Sequence, residues 1–456
     1  MTNERTMMRN FTEGPIFRQL INFSLPFVMA NLLQSMYNLV DLAVVGQFVG
    51  SSGMSGVAIG GSIMFLFTSI SIGFSGGAQV VIAQLVGKND TGSIKRAIGT
   101  TFTMTAILSL AVTAIGFILH NWMLSILNTP PEALDQARTY LIICICGLFF
   151  NYGYSGVCAV LRGMGDSTRP LIFIAVASVT NLILDIVFIV GFDMGTVGAA
   201  LATVIGQAVS FIFSLVYLYR RRSSFGFDFR PASFAIDRKL CFLLIRVALP
   251  TAFQFFFVAI SMLIVSAFVN DYGVEASAVS GVGTKLFNFV GIITTSLRSS
   301  GCTLVGQNIS VRKYSRVRHI FFDVLAINVV FAILMTLACL LIPRQMFSVF
   351  NREPAVLDLA EEYLSIYCHA YLAQNLMCAP LGLMQGAGDT LIVMGATLMD
   401  CVAARIGLSY LFGTVLDMGL HGTWLGASLA SYVTVIIGTI YFFAGRWKKI
   451  QILKND

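Results

Sequence analysis

Charged residues are scarce in this sequence. Only 11% of its 456 residues are Asp, Glu, Lys or Arg, whereas 57% are hydrophobic and the mean hydropathy is +0.82. Soluble domains usually carry about 25% charged residues. A soluble chain with so little charge could not cover its own surface with polar groups. The composition therefore predicts a polytopic membrane protein.

The sequence also lacks the signatures of the common enzyme classes. The nine cysteines have no metal-ligand spacing, and the four histidines lie near the ends of apolar stretches without zinc or catalytic pairing. No Walker lysine follows the glycine-rich stretches GMGD and GAGD, which we interpret as turns after helix ends. These absences argue against ATP-driven transport. The sequence predicts no enzyme and no resident cofactor.

Long apolar stretches dominate what is present. A membrane-spanning helix needs about 20 apolar residues. The sequence offers twelve such stretches, so we predict an all-α protein with twelve transmembrane helices. They lie near residues 16–45, 53–86, 97–119, 138–161, 170–191, 198–219, 242–270, 277–305, 318–342, 361–384, 390–413 and 422–445.

The basic residues are distributed unevenly between the two sides of these spans. Most of the 29 Lys and Arg residues lie in the loops that follow even-numbered spans and in the two terminal segments. Cytoplasmic loops carry such an excess. We therefore expect a bacterial inner-membrane protein with both termini in the cytoplasm. The polar, Arg-containing start predicts a retained segment and not a cleaved signal. The net charge of +7 reflects topology, so we expect no nucleic-acid partner.

The sequence contains an internal repeat. Each half carries six spans, so the two copies have the same orientation, as in the parallel repeats of secondary transporters. The matching stretches are LVGKN at 85–89 with LVGQN at 304–308, RGMGDST at 162–168 with QGAGDT at 385–390, and FDMG at 192–195 with LDMG at 416–419. We predict an N-terminal lobe at 1–222, a cytoplasmic linker at 223–240 and a C-terminal lobe at 241–456.

A few polar residues interrupt the apolar spans of the first half. Asp41 lies in NLVDLAVVGQF with Tyr37 one turn before it, and Asn181 lies one turn before Asp185. Thr203 lies in the sixth span. Their oxygen atoms suit Na⁺ or a network of protonated carboxyl groups, and intramembrane carboxylates are usually functional. For Asn181 and Thr203, local hydrogen bonding between helices is an equally good explanation.

These features resemble the multidrug and toxic compound extrusion (MATE) family of cation-coupled antiporters. The resemblance covers essentially the whole chain and is most specific in SLPFVMANLLQSMYNLVD, NLILD and GAALAT. It is closest to prokaryotic members whose coupling acids lie in the N-terminal lobe. The resemblance implies a cation-coupling site in this lobe, and most residues of that site would also bind Na⁺. The residues are Tyr37, Asp41, Asn181, Asp185 and Thr203, of which all but Tyr37 would hold Na⁺.

Other polar residues are candidates for the substrate cavity or for helix bending. Gln34, Gln254 and Lys285 are the cavity candidates, although Lys285 has the alternatives of pairing with a carboxylate such as Asp400 or snorkelling to the interface. Pro26 removes one backbone hydrogen bond from the first helix and permits a bend.

Two further charges lie in the eleventh predicted span. Asp400 and Arg405 are five residues apart, a poor spacing for one face of an α-helix, so we expect their partners on other helices.

The predicted function is antiport by alternating access. The protein would export amphipathic or cationic small molecules in exchange for H⁺ or Na⁺, as a monomer in the lipid bilayer. One alternative is a flippase for lipid-linked saccharide precursors, whose anionic cargo would suit the charges of Lys285, Arg298 and Arg405. A channel or membrane sensor without coupled transport is a further alternative.

Overall fold

A computed structural model describes residues 8–127, 129–350, 352–450 and 452 of the chain. Within these residues the secondary structure consists of helices and turns, and this part of the chain contains no β-strand. The predicted all-α class is confirmed.

Six long helices make up the first half of the chain. They are α1 (Ile16–Phe48), α2 (Gly50–Gly87), α3 (Thr91–Ile126), α4 (Pro131–Gly163), α5 (Thr168–Asp185) and α6 (Gly195–Arg220). A π-helix, Ile186–Gly191, continues α5. The connection to the second half contains the short α7 (Arg222–Phe225) and a 3₁₀ turn, Pro231–Phe234.

The second half has more interruptions. Its helices are α8 (Arg238–Asn270), α9 (Val274–Ser310), α10 (Tyr314–Leu341), α11 (Pro343–Ser348), α12 (Pro354–Leu376), α13 (Cys378–Ala387), α14 (Thr390–Leu398), α15 (Gly407–Tyr410), α16 (Gly419–Ala430) and α17 (Tyr432–Phe443). Two π-helices, Met399–Ile406 and Leu411–Val415, flank α15, and a 3₁₀ turn, Arg446–Lys448, follows α17.

Eleven of the described helical segments are long and apolar enough to cross a membrane. The remaining predicted span, near 361–384, corresponds to α12 and α13, which are separated at Met377. The three acidic residues of α12 lie near its start and lower its hydropathy; they are Asp358, Glu361 and Glu362.

The turns before α6 and α16 show the repeat in the backbone. Asp193 and Asp417 both have φ of 53°, and Gly195 and Gly419 have φ of 55° and 60°. Positive φ is uncommon outside glycine, and aspartate is one of the residues that tolerate it. The two turns therefore follow the same path at positions 224 residues apart.

Hydrogen bonds around these turns repeat at the same spacing. The N–H of Met194 donates to the carbonyl of Phe188 at 2.9 Å, and the N–H of Met418 donates to the carbonyl of Phe412 at 3.1 Å. Since these bonds tie each turn to the helix before it, they fix the register between the halves. A residue near the end of the α5 segment thus corresponds to the residue 224 positions later, whereas Thr168 and Thr390, at which α5 and α14 begin, are 222 positions apart.

The contacts divide the chain into two compact units. One contains Leu25–Ala252 and the described residues before Phe11, and the other contains Phe11–Ser24 and the described residues from Phe253 onward. The unit borders thus fall inside α1, beside Pro26, and inside α8, just after Pro250. The boundaries at 1–222, 223–240 and 241–456 rest on the sequence repeat and stay a prediction.

Each unit has its own apolar core. In the first unit α4 packs against α2, α3 and α6, and the hydroxyl of Tyr152 donates to the carbonyl of Phe67 at 2.6 Å. In the second unit α12 packs against α9, α10 and α16, and the ring of Tyr363 contacts Trp424 edge-on. These cores hold the helices that carry the polar residues.

The connection between the halves folds back onto α3. Lys95 Nζ lies 2.8 Å from Asp228 Oδ2, and the hydroxyl of Thr103 donates to the carbonyl of Phe234 at 2.7 Å. The Lys95 ammonium group, with the hydroxyl of Ser233, holds the pKa of the Asp228 carboxyl well below its usual range. Gly99 faces the carbonyl oxygen of Ser233 so closely that a Cβ there would overlap it.

Gly99→Ala is therefore expected to destabilise the first unit. The added methyl group meets backbone, which cannot turn aside as a side chain would, and overpacking of this kind costs about 1–3 kcal/mol. Thermal unfolding in detergent measures the effect. Gly61→Ala in α2 is the matched control, because a Cβ there meets no atom within 4 Å and alanine favours the helix. Equal melting of the two variants would contradict the described packing of the connection.

Candidate functional site

Two helices of the first unit carry the predicted acidic residues at buried positions. Tyr37 and Asp41 lie one turn apart on α1, and Asn181 and Asp185 lie one turn apart on α5. The exposed fraction is 8% for Asp41, 3% for Asn181 and 0% for Asp185. The carboxyl groups are thus removed from solvent on both helices.

Hydrogen bonds join these residues to Thr203 of α6. Asn181 Nδ2 donates to Thr203 Oγ1 at 3.5 Å, a long bond. The side chains of Tyr37 and Thr203 are also hydrogen-bonded to each other. The structure therefore brings the five predicted cation-coupling residues together from α1, α5 and α6.

The two carboxyl groups of the site are in direct contact. Asp41 and Asp185 are hydrogen-bonded to each other through their side chains. Ionised carboxylates are acceptors only, so a hydrogen bond between two of them requires a proton on one. The Oδ1 atom of Asp41 is buried and has no hydrogen-bond partner. The arrangement has the acceptors for one proton or one small cation.

Two residues of α4 also belong to this region and were missed from the sequence. Tyr140 and Cys144 are 7% and 5% exposed, are hydrogen-bonded to each other and lie close enough to Asp41 to interact electrostatically. Cys144 was not a candidate in the sequence because the nine cysteines have no metal-ligand spacing. The one available signal was the spacing of four residues, which puts Tyr140 and Cys144 on the same face of a helix.

The oxygen atoms present fit a hard cation better than a transition metal. Carboxylate, amide and hydroxyl oxygens are supplied by Asp41, Asp185, Asn181 and Thr203. Hard cations prefer oxygen ligands, whereas transition metals favour imidazole and thiolate ligands. Among the described residues no group of three or more His, Cys, Asp or Glu is arranged to hold a metal ion.

The three cavity candidates have different surroundings. Gln34 is exposed on α1. Gln254 is 6% exposed, and its Oε1 atom has no hydrogen-bond partner. Lys285 is exposed, with Nζ 5.8 Å from the ring centroid of Phe350. Their assignment to a substrate cavity stays a prediction, as does a bending role for Pro26, which lies inside the continuous helix α1.

The expectation for Asp400 and Arg405 was wrong. Arg405 Nη2 lies 3.1 Å from Asp400 Oδ1, so the two charges pair with each other and not with a charged group on another helix. The reason is the π-helix Met399–Ile406, because its wider turn brings residues i and i+5 onto one face. The alternative pairing of Lys285 with Asp400 is likewise not observed.

An apolar cavity of about 660 Å³ lies in the first unit, apart from these residues. It is bounded by α3, α4, α6 and the connection between the halves, with Arg220 among its lining residues. Its aromatic lining includes Phe102, Phe149, Phe211, Phe229 and Phe234.

The helical fold with its internal repeat is that of a membrane transporter. The MatE family model matches residues 26–187 and again residues 250–411, and the chain therefore belongs to the MatE family. The resemblance to the MATE family noted in the sequence is confirmed, and the branch of prokaryotic members stays a prediction. The protein is a multi-span membrane transporter and not an enzyme, and transporters of this family need no cofactor.

Relatives resemble this chain over nearly its full length. It is 26% identical over 447 residues to the probable multidrug resistance protein YpnP of Bacillus subtilis, covering 97% of this chain and 98% of the relative. It is 23% identical over 453 residues to the probable multidrug resistance protein NorM of Thermotoga maritima, covering 97% and 95%.

Solved structures share the fold. An outward-facing multidrug resistance MATE family transporter of the MOP superfamily has a TM-score of 0.89 at 19% identity, covering 96% of this chain and 98% of that one. A MOP superfamily transporter from Pyrococcus furiosus has a TM-score of 0.88 at 19% identity, covering 100% and 99%.

Proposed function

We propose that this chain is a multidrug efflux antiporter that exports amphipathic or cationic organic compounds in exchange for H⁺ or Na⁺. The names of its relatives support multidrug export. The observation that supports coupling to a cation is the buried contact between Asp41 and Asp185. Its working environment is the bacterial inner membrane, with both termini in the cytoplasm, and its working form is a monomer.

The coupling arises from the repulsion between two carboxylates. In a low-dielectric interior, two adjacent negative charges are costly, and a proton or Na⁺ between them removes that cost. When the cation leaves, α1 and α5 lose the group that holds Asp41 and Asp185 together. Pro26 gives α1 a point at which it can bend in response.

Antiport follows if cargo prefers the unit without its cation. Each ligand then shifts the equilibrium away from the state that the other binds, by an amount set by its difference in affinity for the two states. Exchange of one for the other across the membrane couples export of cargo to entry of the cation. The cation gradient alone then supplies the free energy for export.

The proton is the better candidate for the coupling ion. A direct hydrogen bond between two carboxyl groups is satisfied by one proton, whereas Na⁺ needs several oxygen ligands around it. Asn181 and Thr203 supply two such oxygens, so Na⁺ is the second candidate at the same residues.

A flippase is less well supported. Its case depended on free positive charges at Lys285, Arg298 and Arg405. Arg405 is neutralised by Asp400, and Lys285 lies at an exposed position beside Phe350. Arg298 is half-buried on α9. One half-buried arginine and one exposed lysine are a weak basis for a site that binds an anionic pyrophosphate group.

The test is transport in liposomes under separately imposed gradients. Purified protein is reconstituted, and uptake of a fluorescent organic cation is followed with a pH gradient alone and with a Na⁺ gradient alone. Asp41→Asn serves as the comparison because it keeps the side chain's size and removes its charge. We expect uptake driven by the pH gradient in the wild type and not in the variant. Equal uptake by wild type and variant under both gradients would contradict the proposal.

A further inference from the structure

The second half carries different residues at the positions equivalent to the candidate cation site. The family model matches the two halves at starts and ends that are each 224 residues apart, the spacing found in the backbone. At a spacing of 224 residues, Ser261, Val265, Arg405, Ser409 and Ala427 align with Tyr37, Asp41, Asn181, Asp185 and Thr203, respectively. Both acidic positions are thus neutral in the second half, and a fixed positive charge, Arg405, lies at or within two residues of the position of Asn181.

That positive charge is paired inside the second unit. The side chains of Arg405 and Asp400 are 12% and 6% exposed, and Nη2 lies 3.1 Å from Oδ1. An unpaired charge at such a position is costly, and a paired one is tolerated. The π-helix that carries both residues brings the carboxylate within reach.

Neighbouring groups complete the surroundings of the pair. Arg405 Nη2 donates to Ser431 Oγ at 3.4 Å, and Thr434 Oγ1 donates to Asp400 Oδ2 at 3.3 Å. The titratable groups that interact with Arg405 or Asp400 are Tyr367 of α12 and Cys401, whose thiol is hydrogen-bonded to Ser261 of α8. Among the described residues, Asp400 and Arg405 are the only charged members of this cluster.

We propose that Arg405 is a tethered cation that permanently fills a latent cation site at Asp400. The site lies between the helices of the second half that correspond to α5 and α6, where the first half has its exchangeable site. The group that Arg405 replaces is a proton or a monovalent cation such as Na⁺. The comparison with an exchangeable site rests on the proposed function.

The tether makes the second half insensitive to the coupling ion. Because the guanidinium is always charged and covalently attached, its neutralisation of Asp400 changes neither with pH in the physiological range nor with Na⁺. The ion then acts on the first half alone. A transporter built from two similar halves thus has one exchangeable site and one fixed site.

The experiment removes the positive charge beside Asp400 in a protein whose candidate cation site in the first half can no longer ionise. Asp41→Asn and Asp185→Asn together form the background, to which Arg405→Gln is added. Thermal unfolding in detergent is measured from mildly acidic to mildly alkaline pH, and with NaCl against choline chloride. In the background protein Asp400 is still paired with Arg405, so Asp400 should add no pH or Na⁺ dependence to the thermal stability. The Arg405→Gln variant should become more stable as pH falls or Na⁺ rises, with the unfolding constant changing up to tenfold per pH unit for one proton.

Adding Asp400→Asn to that variant is the matched control, and it should abolish the new dependence. If Arg405→Gln does not fold at neutral pH, recovery at acidic pH or in NaCl supports the proposal. Failure under every condition, while the variant that also carries Asp400→Asn folds, would overturn it. A folded Arg405→Gln variant with no new cation dependence would overturn it as well.

The proposed function is read separately in the same series. Wild-type protein compared with the background reports the cation response of Asp41 and Asp185. A missing response there counts against the proposed function, whereas the Arg405→Gln comparison is made within the background and does not depend on it.

Discussion

Asp185→Asn is expected to reduce gradient-driven export by about 5- to 150-fold, the range that corresponds to a coupling free energy of about 1–3 kcal/mol. Asp185 is fully buried and hydrogen-bonded to Asp41. Asparagine keeps the shape and the hydrogen-bonding capacity but takes no charge. The repulsion that a proton or Na⁺ relieves is then absent in every state, so cation entry no longer drives export. Uptake into liposomes under the gradient that drives the wild type measures the loss.

The thermal stability of Asp185→Asn should not fall together with its transport activity. Since asparagine removes a buried group that can ionise, the thermal midpoint of Asp185→Asn should equal or exceed that of the wild type. Ser178→Ala on the same helix is the control: Ser178 is 8% exposed and its Oγ has no hydrogen-bond partner. It should export at the wild-type rate. Wild-type export by Asp185→Asn, or a loss of export equal in both variants, would contradict the assignment.

The sequence predicts which polar residues share a face of α1 or of α5, but it does not predict that these two helices are in contact. A spacing of four residues places Tyr37 with Asp41 and Asn181 with Asp185, because neighbours along an α-helix are set by its pitch. No spacing rule brings α1 to α5, since that contact depends on packing across the whole unit. The expectation that they meet came from resemblance to a family. Tyr140 was missed for the same reason, as it lies on α4.

The limits of the sequence are clearest where helix geometry changes. The residues MDCVAARI form a π-helix that begins one residue before Asp400, yet they read as an ordinary apolar span with two charges. An α-helical rule therefore placed Asp400 and Arg405 on different faces. The fold was more accessible, because the length of the apolar stretches and the internal repeat are both visible in the order of residues along the chain. Even so, nothing in the apolar pattern of 361–384 predicted the division between α12 and α13 at Met377.

Arg405→Gln and Asp400→Asn are each expected to lower the free energy of unfolding by about 3–5 kcal/mol, because each leaves one buried charge without its partner. The expectation applies at neutral pH without added Na⁺, where the orphaned carboxylate is ionised. In the variant with both substitutions neither side chain is charged, so no buried charge lacks a partner. Both new side chains can still hydrogen-bond to Ser431 and Thr434. Its loss should be much smaller than the sum of the two single losses.

A double-mutant cycle on equilibrium unfolding in mixed micelles measures that difference, which is the coupling between residues in contact. Arg344→Gln is the control for loss of an ion pair as such. Arg344 lies 2.7 Å from Asp358 and 2.6 Å from Glu361, but more than half of each of these side chains is exposed. Solvent screens exposed pairs, so this variant should unfold nearly as the wild type does. Additive losses in the Arg405 and Asp400 cycle would show that the two charges do not depend on each other, and would contradict the pairing.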